Sequence, residues 1–158
     1  MDAAAKKLLL RKIPFGLYVC GARQGDRVHA FLLSWFTQAS FDPPLVALGV
    51  KRDGRAHDML LSDRAFVVNF LGSDQKQLAV DFLKTAVASG GTISGHPWTP
   101  GKNGAPVLDE VPGYLEGRIL HHFEHGDHTV MIGEVTEAAV RRGFDLLTGE
   151  QTGWKYGG

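Results

Sequence analysis

Residues 29–57, HAFLLSWFTQASFDPPLVALGVKRDGRAH, constrain this chain more than any other stretch. Side chains in a strand alternate with period two. Phe31, Leu33, Trp35, Thr37 and Ala39 therefore fall on one face of an extended run of about a dozen residues. Leu32, Ser34, Phe36, Gln38 and Ser40 fall on the other. Asp42-Pro43-Pro44 interrupts the ladder, because proline has no amide hydrogen to donate. LVALGV, residues 45–50, is apolar on both faces and predicts a buried strand. It runs into Lys51-Arg52-Asp53-Gly54-Arg55-Ala56-His57, and a helix is expected over residues 55–62. Amides at a helix start lack intrahelical partners and attract an anion, and lysine or arginine can complete the cradle. The pattern predicts a phosphate held at residues 51–57, with an apolar ring system lying back along the strand of Trp35.

A chain of 158 residues fits one domain able to bury most of its apolar surface. Lys plus Arg and Asp plus Glu are 17 each, so no summed basic field favours nucleic acid. Cys20 is the single cysteine, which excludes an intrachain disulfide and fits a reducing cytosol. Within GLYVCGA it reads as a buried strand residue; a reactive thiol needs a cationic, partly exposed setting. The opening MDAAAKKLLLRK has only a three-residue apolar core, too short for a signal peptide or a membrane span. A cytoplasmic protein with no membrane partner is expected.

Residues 2–12 predict a short helix or an ordered tail, and residues 16–22 a strand closed by a glycine turn at 23–26. Residues 65–71 form a further strand by their β-branched and aromatic content. Ser73 is the expected N-cap of a helix through about residue 88, with Leu78, Ala79, Phe82 and Leu83 as its core stripe. Residues 89–106 are rich in Gly, Pro and Thr and read as loop with one short strand at most. Strands at 114–123 and 128–137 flank a corner at 124–127, and last strands are expected near 139–147 and 154–156. Without regular βαβ alternation, the tally is a mainly β, antiparallel small barrel with peripheral helices.

No GxGxxG follows a strand, and GxxxxGK[ST], CxxC and GxSxG are absent. The sequence thus has no Rossmann, triphosphate or nucleophile-elbow signature. His121, His122, His125 and His128 suggest a metal only superficially, since 121 and 122 point to opposite faces of a strand. No metal centre is expected.

SWFTQASFDPPLVALGV, preceded by RKIPFGLYV and followed by GDHTVMIGEV and a terminal TGWKYGG, resembles the flavin reductase-like, FMN-binding split-barrel family. These four pieces, in order, span nearly the whole chain. The resemblance implies one split-barrel domain over residues 1–158, forming a homodimer. It implies FMN as cofactor, with FAD as the variant, and NAD(P)H as co-substrate. Reduced flavin would pass to a partner monooxygenase or another acceptor. By resemblance, His29, Leu33, Ser34, Trp35, Phe36, Thr37 and Ser40 lie along the flavin, and Lys51, Arg52, Arg55 and His57 at its phosphate. The histidine of GDH, His128, lies by the reactive face as the one catalytic candidate, with Trp154 and Tyr156 of the tail close to the ring. Taken alone, each has a plainer reading: solvated charge for 51–57, core for Trp35, a hairpin corner for Asp127-His128 and a docked terminus for Trp154 and Tyr156. Two other functions share the motifs: a flavoredoxin-like carrier that uses nicotinamide poorly, and a split-barrel protein binding FMN without redox chemistry, or holding haem on a histidine.

Overall fold

The computed structural model describes residues 1–84 and 86–157. Helix α1 (Ala3–Leu10) is capped by the Asp2 carboxylate, which accepts from the amides of Ala4 and Ala5. None of its residues is buried. Strands β1 (Tyr18–Gln24) and β2 (Arg27–Leu33) form a hairpin turned at Gly25, whose φ of 57° suits a residue without a Cβ. Strand β3 (Phe36–Ser40), strand β4 (Leu45–Lys51), helix α2 (Arg55–Asp63) and strand β5 (Ala65–Phe70) follow. Helix α3 (Lys76–Asp81) and the short strands β6 (Ala88–Ser89), β7 (Thr92–Ile93), β8 (His96–Pro100) and β9 (Pro106–Leu108) come next. The long hairpin β10 (Gly113–Glu124) and β11 (His128–Val140) and a single turn, α4 (Gly149–Thr152), complete the order.

The main sheet has seven antiparallel strands in the order β2-β1-β5-β10-β11-β4-β3. Its two edge strands, β2 and β3, are separated in sequence by Ser34 and Trp35 alone. Three residue steps span at most about 11 Å, so the sheet must curl until its edges come close around that link. The continuous strand expected from residue 29 onward is therefore two strands on opposite edges. Alternation persists through the break, which is why it gives no warning in the sequence.

Strand β1 is buried on both faces. Tyr18, Cys20 and Ala22 join Leu33, Leu48, Val50, Leu60, Phe66 and Met131 in the core enclosed by the curled sheet and α2. Val19 points the other way, into a second core with Leu71, Leu78, Ala79, Phe82, Ile93 and Leu108. Burial raises the Cys20 thiol far above its ordinary value, so it is an inert packing residue. Gly117 and Gly133 leave room for the Phe66 ring, which a Cβ at either position would strike.

Several expectations are corrected. Strand β4 buries Val46, Leu48 and Val50, while Leu45, Ala47 and Gly49 stay half-buried, so only one of its faces is core. The helix expected from Ser73 is confined to six residues; Asp74 is ion-paired to Arg142 instead of sitting in a first turn. Leu83, expected in the core stripe, is 57% exposed. The presumed loop at 89–106 contains most of a four-stranded sheet, β6-β7-β8-β9, pinned by Asn69, which donates to Pro106 and accepts from the Leu108 amide. Within residues 141–148 the only β-pairing is by isolated bridges at Leu146 and Thr148, and the chain then forms α4 and an irregular tail, so neither expected final strand is present. No helix among the described residues is long and apolar enough to cross a membrane.

Candidate functional site

Strand β4 delivers Lys51 directly opposite His128, the first residue of β11. The cationic run and the GDH corner, 77 positions apart in the sequence, are thus cross-strand partners. The chain then turns into α2, whose N-cap is Gly54 with no side-chain cap. Opposite lies β2, bringing His29 near the Arg55 guanidinium. Burial first, and then that positive neighbour, lower the His29 pKa, so its neutral form is favoured.

These elements enclose a cavity of about 660 Å³. Eight of the expected residues line it: His29, Leu33, Ser34, Lys51, Arg55, His128, Trp154 and Tyr156. A second cavity, about 610 Å³ and mostly apolar, adjoins it and is lined by Trp35, Phe36 and Thr37. Phe15, Ser34, Gly49 and Tyr156 line both. Ser40, Arg52 and His57 line neither. Ser40 pairs with Leu45 at the far end of β3. Arg52 turns to the hairpin, bonding Glu124 at 3.1 Å and the Gly126 carbonyl. His57 is 6% exposed and faces inward, with Nε2 2.7 Å from the Thr129 hydroxyl. A helix turns side chains through about 100° per residue, so Arg55 and His57 cannot both face the same ligand.

At the junction of the cavities stand three aromatic side chains. The Trp35 ring lies 4.3 Å from the His128 imidazole and 5.4 Å from the Tyr156 ring, centroid to centroid. His128 Nε2 is 3.1 Å from the Tyr156 hydroxyl, and its Nδ1 is 3.0 Å from Asp127. Trp35 is held where it is by its carbonyl, which accepts from the Gly49 amide, and by the missing Cβ of Gly49. A Cβ there would come within 2.9 Å of the indole.

Charge around this junction is paired. Lys51 bonds Asp53 at 2.9 Å, which raises the lysine and lowers the carboxyl. The hydrogen bond to His128 lowers Asp127. Burial raises the Tyr156 phenol; Lys51 opposes that and Asp127 adds to it. At neutral pH the junction therefore holds anionic Asp53 and Asp127, cationic Lys51 and an un-ionised phenol.

Lys84 and Lys155 also line the first cavity, with Phe31, Phe82 and Asp53. Lys155 is a cation between two aromatics already singled out, which was the available signal. Asp53 was visible within the cationic run as the acid that neutralises Lys51. Among the described residues no group of three or more His, Cys, Asp or Glu could hold a metal ion. The first cavity's donor set fits a ring ligand carrying a phosphate. It combines an uncapped helix start, Arg55, Lys84 and Lys155 with carbon walls from Phe31, Leu33 and Trp154.

The diflavin flavoprotein A 1 of Synechocystis sp. is 30% identical over 143 residues, 90% of this chain and 25% of that protein. The chain thus spans about a quarter of such a relative. Among solved structures, the NADH:FAD oxidoreductase of Streptomyces globisporus is 26% identical with a TM-score of 0.79, over 93% of this chain and 82% of that one. An FMN-binding protein from Thermus thermophilus, solved with bound 1-cyclohex-2-enone, is 28% identical with a TM-score of 0.72, over 84% and 74%. The family model described as flavin reductase like domain matches residues 10–151, and the chain belongs to that family.

Proposed function

We propose that the chain binds FMN in the first cavity and reduces it with NAD(P)H, releasing electrons to a monooxygenase or another acceptor. The observation that carries this reading is the cavity itself. It joins an uncapped helix start and four cations to an apolar wall, beside an aromatic cluster that can abut a flat ring. When bound, the flavin supplies the electron chemistry. The chain's residues hold the phosphate through Arg55 and the α2 amides, flank the ring with Trp35 and His128, and exclude water with Phe31 and Trp154. The fold reading that goes with it is the split barrel, its edges meeting at Ser34–Trp35.

Exposed Leu10, Ile13, Trp35 and Val130 line the second cavity, forming an apolar face larger than scattered surface residues need. A second copy of the chain is the proposed cover, giving a homodimer. The single buried thiol suits a reducing cytosol.

A flavin-based electron carrier is the second reading. It is favoured by the likeness to a relative named for two flavins, in which a segment of this length is a quarter of the chain. Steady-state oxidation of NADH and NADPH with added FMN separates the two. Turnover that depends on FMN supports the reductase; FMN bound without turnover supports the carrier. A visible spectrum with a Soret band in place of flavin bands would overturn both.

A further inference from the structure

Asp127, His128 and Tyr156 form a linear hydrogen-bonded chain. Asp127 Oδ1 lies 3.0 Å from Nδ1 of the imidazole, and Nε2 lies 3.1 Å from the phenol oxygen. The Asp127 side chain is 85% exposed, so one end opens on solvent. The other end, Tyr156, lines both cavities. Trp35 packs against both rings. We propose that Tyr156 donates a proton to the ligand in the cavity, and that His128, positioned by Asp127, restores that proton from solvent.

The groups that face this chain suit the role. Lys51 from β4 and Asp53 from the turn before α2 neutralise each other beside it. Asp127 is held ionised by its bond to His128, and burial keeps the phenol protonated. The step moves no electrons. The Tyr156 O–H bond breaks as its proton passes to a basic ring nitrogen or oxygen of the ligand. The proton on Nε2 of the imidazolium moves to the phenol oxygen. A neutral imidazole remains, its Nδ1–H still donated to the Asp127 carboxylate, and solvent returns one proton to the vacated Nε2 of His128, a residue that lines the cavity. One proton thus crosses from water to ligand per cycle, and Asp127 sets which nitrogen is free to exchange. The inference rests on the reading of the cavity as a flavin site.

The test uses the FMN-loaded chain, photoreduced without oxygen and then mixed with acidic buffer, so that protonation of the reduced ring is followed by absorbance. This readout needs no nicotinamide. Protonation should slow about 100-fold in Tyr156→Phe, the scale of a lost general acid, and by less in Asp127→Asn. In flavin-free protein, ¹⁵N resonances should show neutral His128 carrying its proton on Nδ1. Asp127→Asn should mix the tautomers, and Tyr156→Phe should move the Nε2 resonance. A bound ring that takes up its proton at one rate in all three proteins, or takes up none, overturns the relay and leaves the flavin site standing. Failure of the wild-type chain to bind FMN at all overturns the site and the relay together.

Discussion

Gly49 lets the Trp35 indole lie flat on β4 between the two cavities. Gly49→Ala would place a methyl group 2.9 Å from an indole carbon, and overpacking of that kind costs about 1–3 kcal/mol. Trp35 is 41% exposed and can swing outward, so the change should appear as a red-shifted tryptophan emission with a lowered Tm. At about 2–4 °C per kcal/mol for a domain of this size, the shift is measurable by thermal denaturation. An unchanged spectrum and Tm would mean that Gly49 is not what seats the indole. His57 gives a second prediction at this scale. It bonds the buried Thr129 hydroxyl, so His57→Ala should destabilise the fold by about 1–3 kcal/mol, the cost of an unpaired buried polar group. Urea denaturation checks the value. The preference for FMN over riboflavin should persist in His57→Ala, because the imidazole points away from the cavity; loss of that preference would return His57 to the phosphate.

Strand β8 and helix α3 are joined by His96, whose two ring nitrogens face Glu110 at 2.7 Å and Asp81 at 3.0 Å. Only an imidazolium can donate to both carboxylates. Burial works against the charge on His96, but the bonds to Glu110 and Asp81 outweigh it and leave its pKa raised. Asp81 is lowered, first by its bond from Gln77 and then by His96. The raised histidine contributes stability that is fully present below its unfolded value of about 6.5 and is lost as pH rises through the folded value. The lowered aspartate contributes stability present above about 3.9 and lost as pH falls through its folded value. The clamp is therefore strongest between these limits. His96→Gln should lower Tm more at pH 6 than at pH 9; equal penalties at both would show that the imidazolium does not hold α3. Segment 82–84, which follows α3 directly, contributes Phe82, Leu83 and Lys84 to the cavity, so this joint also steadies the cavity wall.

Across the whole molecule, much of the fold is readable from local pattern. Strands β1, β5, β10 and β11 and helix α2 announce themselves through periodicity and β-branched content. The seam at Ser34–Trp35 does not, because alternation runs on while the chain changes edges. The four-stranded sheet β6–β9 is hidden because its strands are two to five residues long and rest on a distant asparagine, Asn69. For the site, Lys51, Arg55, Trp35 and His128 stand out by residue type. That Lys51 faces His128 is a consequence of sheet order, and the inward turn of His57 follows from helix phase; neither is encoded nearby in the sequence. A flavin held by elements from the whole curled sheet should stabilise it as a unit. At a hundredfold excess over Kd, FMN should add about 2.7 kcal/mol to folding stability and raise Tm accordingly. If dimerisation covers the face around Leu10, Ile13, Trp35 and Val130, sedimentation should give a dimer at micromolar concentration. A monomer with FMN fully bound would contradict that arrangement.

Paired titrations with FMN and riboflavin, followed by quenching of flavin fluorescence, decide whether the cavity between β2, α2 and the tail holds a flavin by its phosphate. Charge-assisted contacts contribute about 1.5–3 kcal/mol each, so FMN should bind at least tenfold more tightly. Arg55→Ala should remove most of that difference while leaving riboflavin nearly unaffected. Equal affinities for the two flavins in the wild-type protein would mean that this cavity does not hold the phosphate.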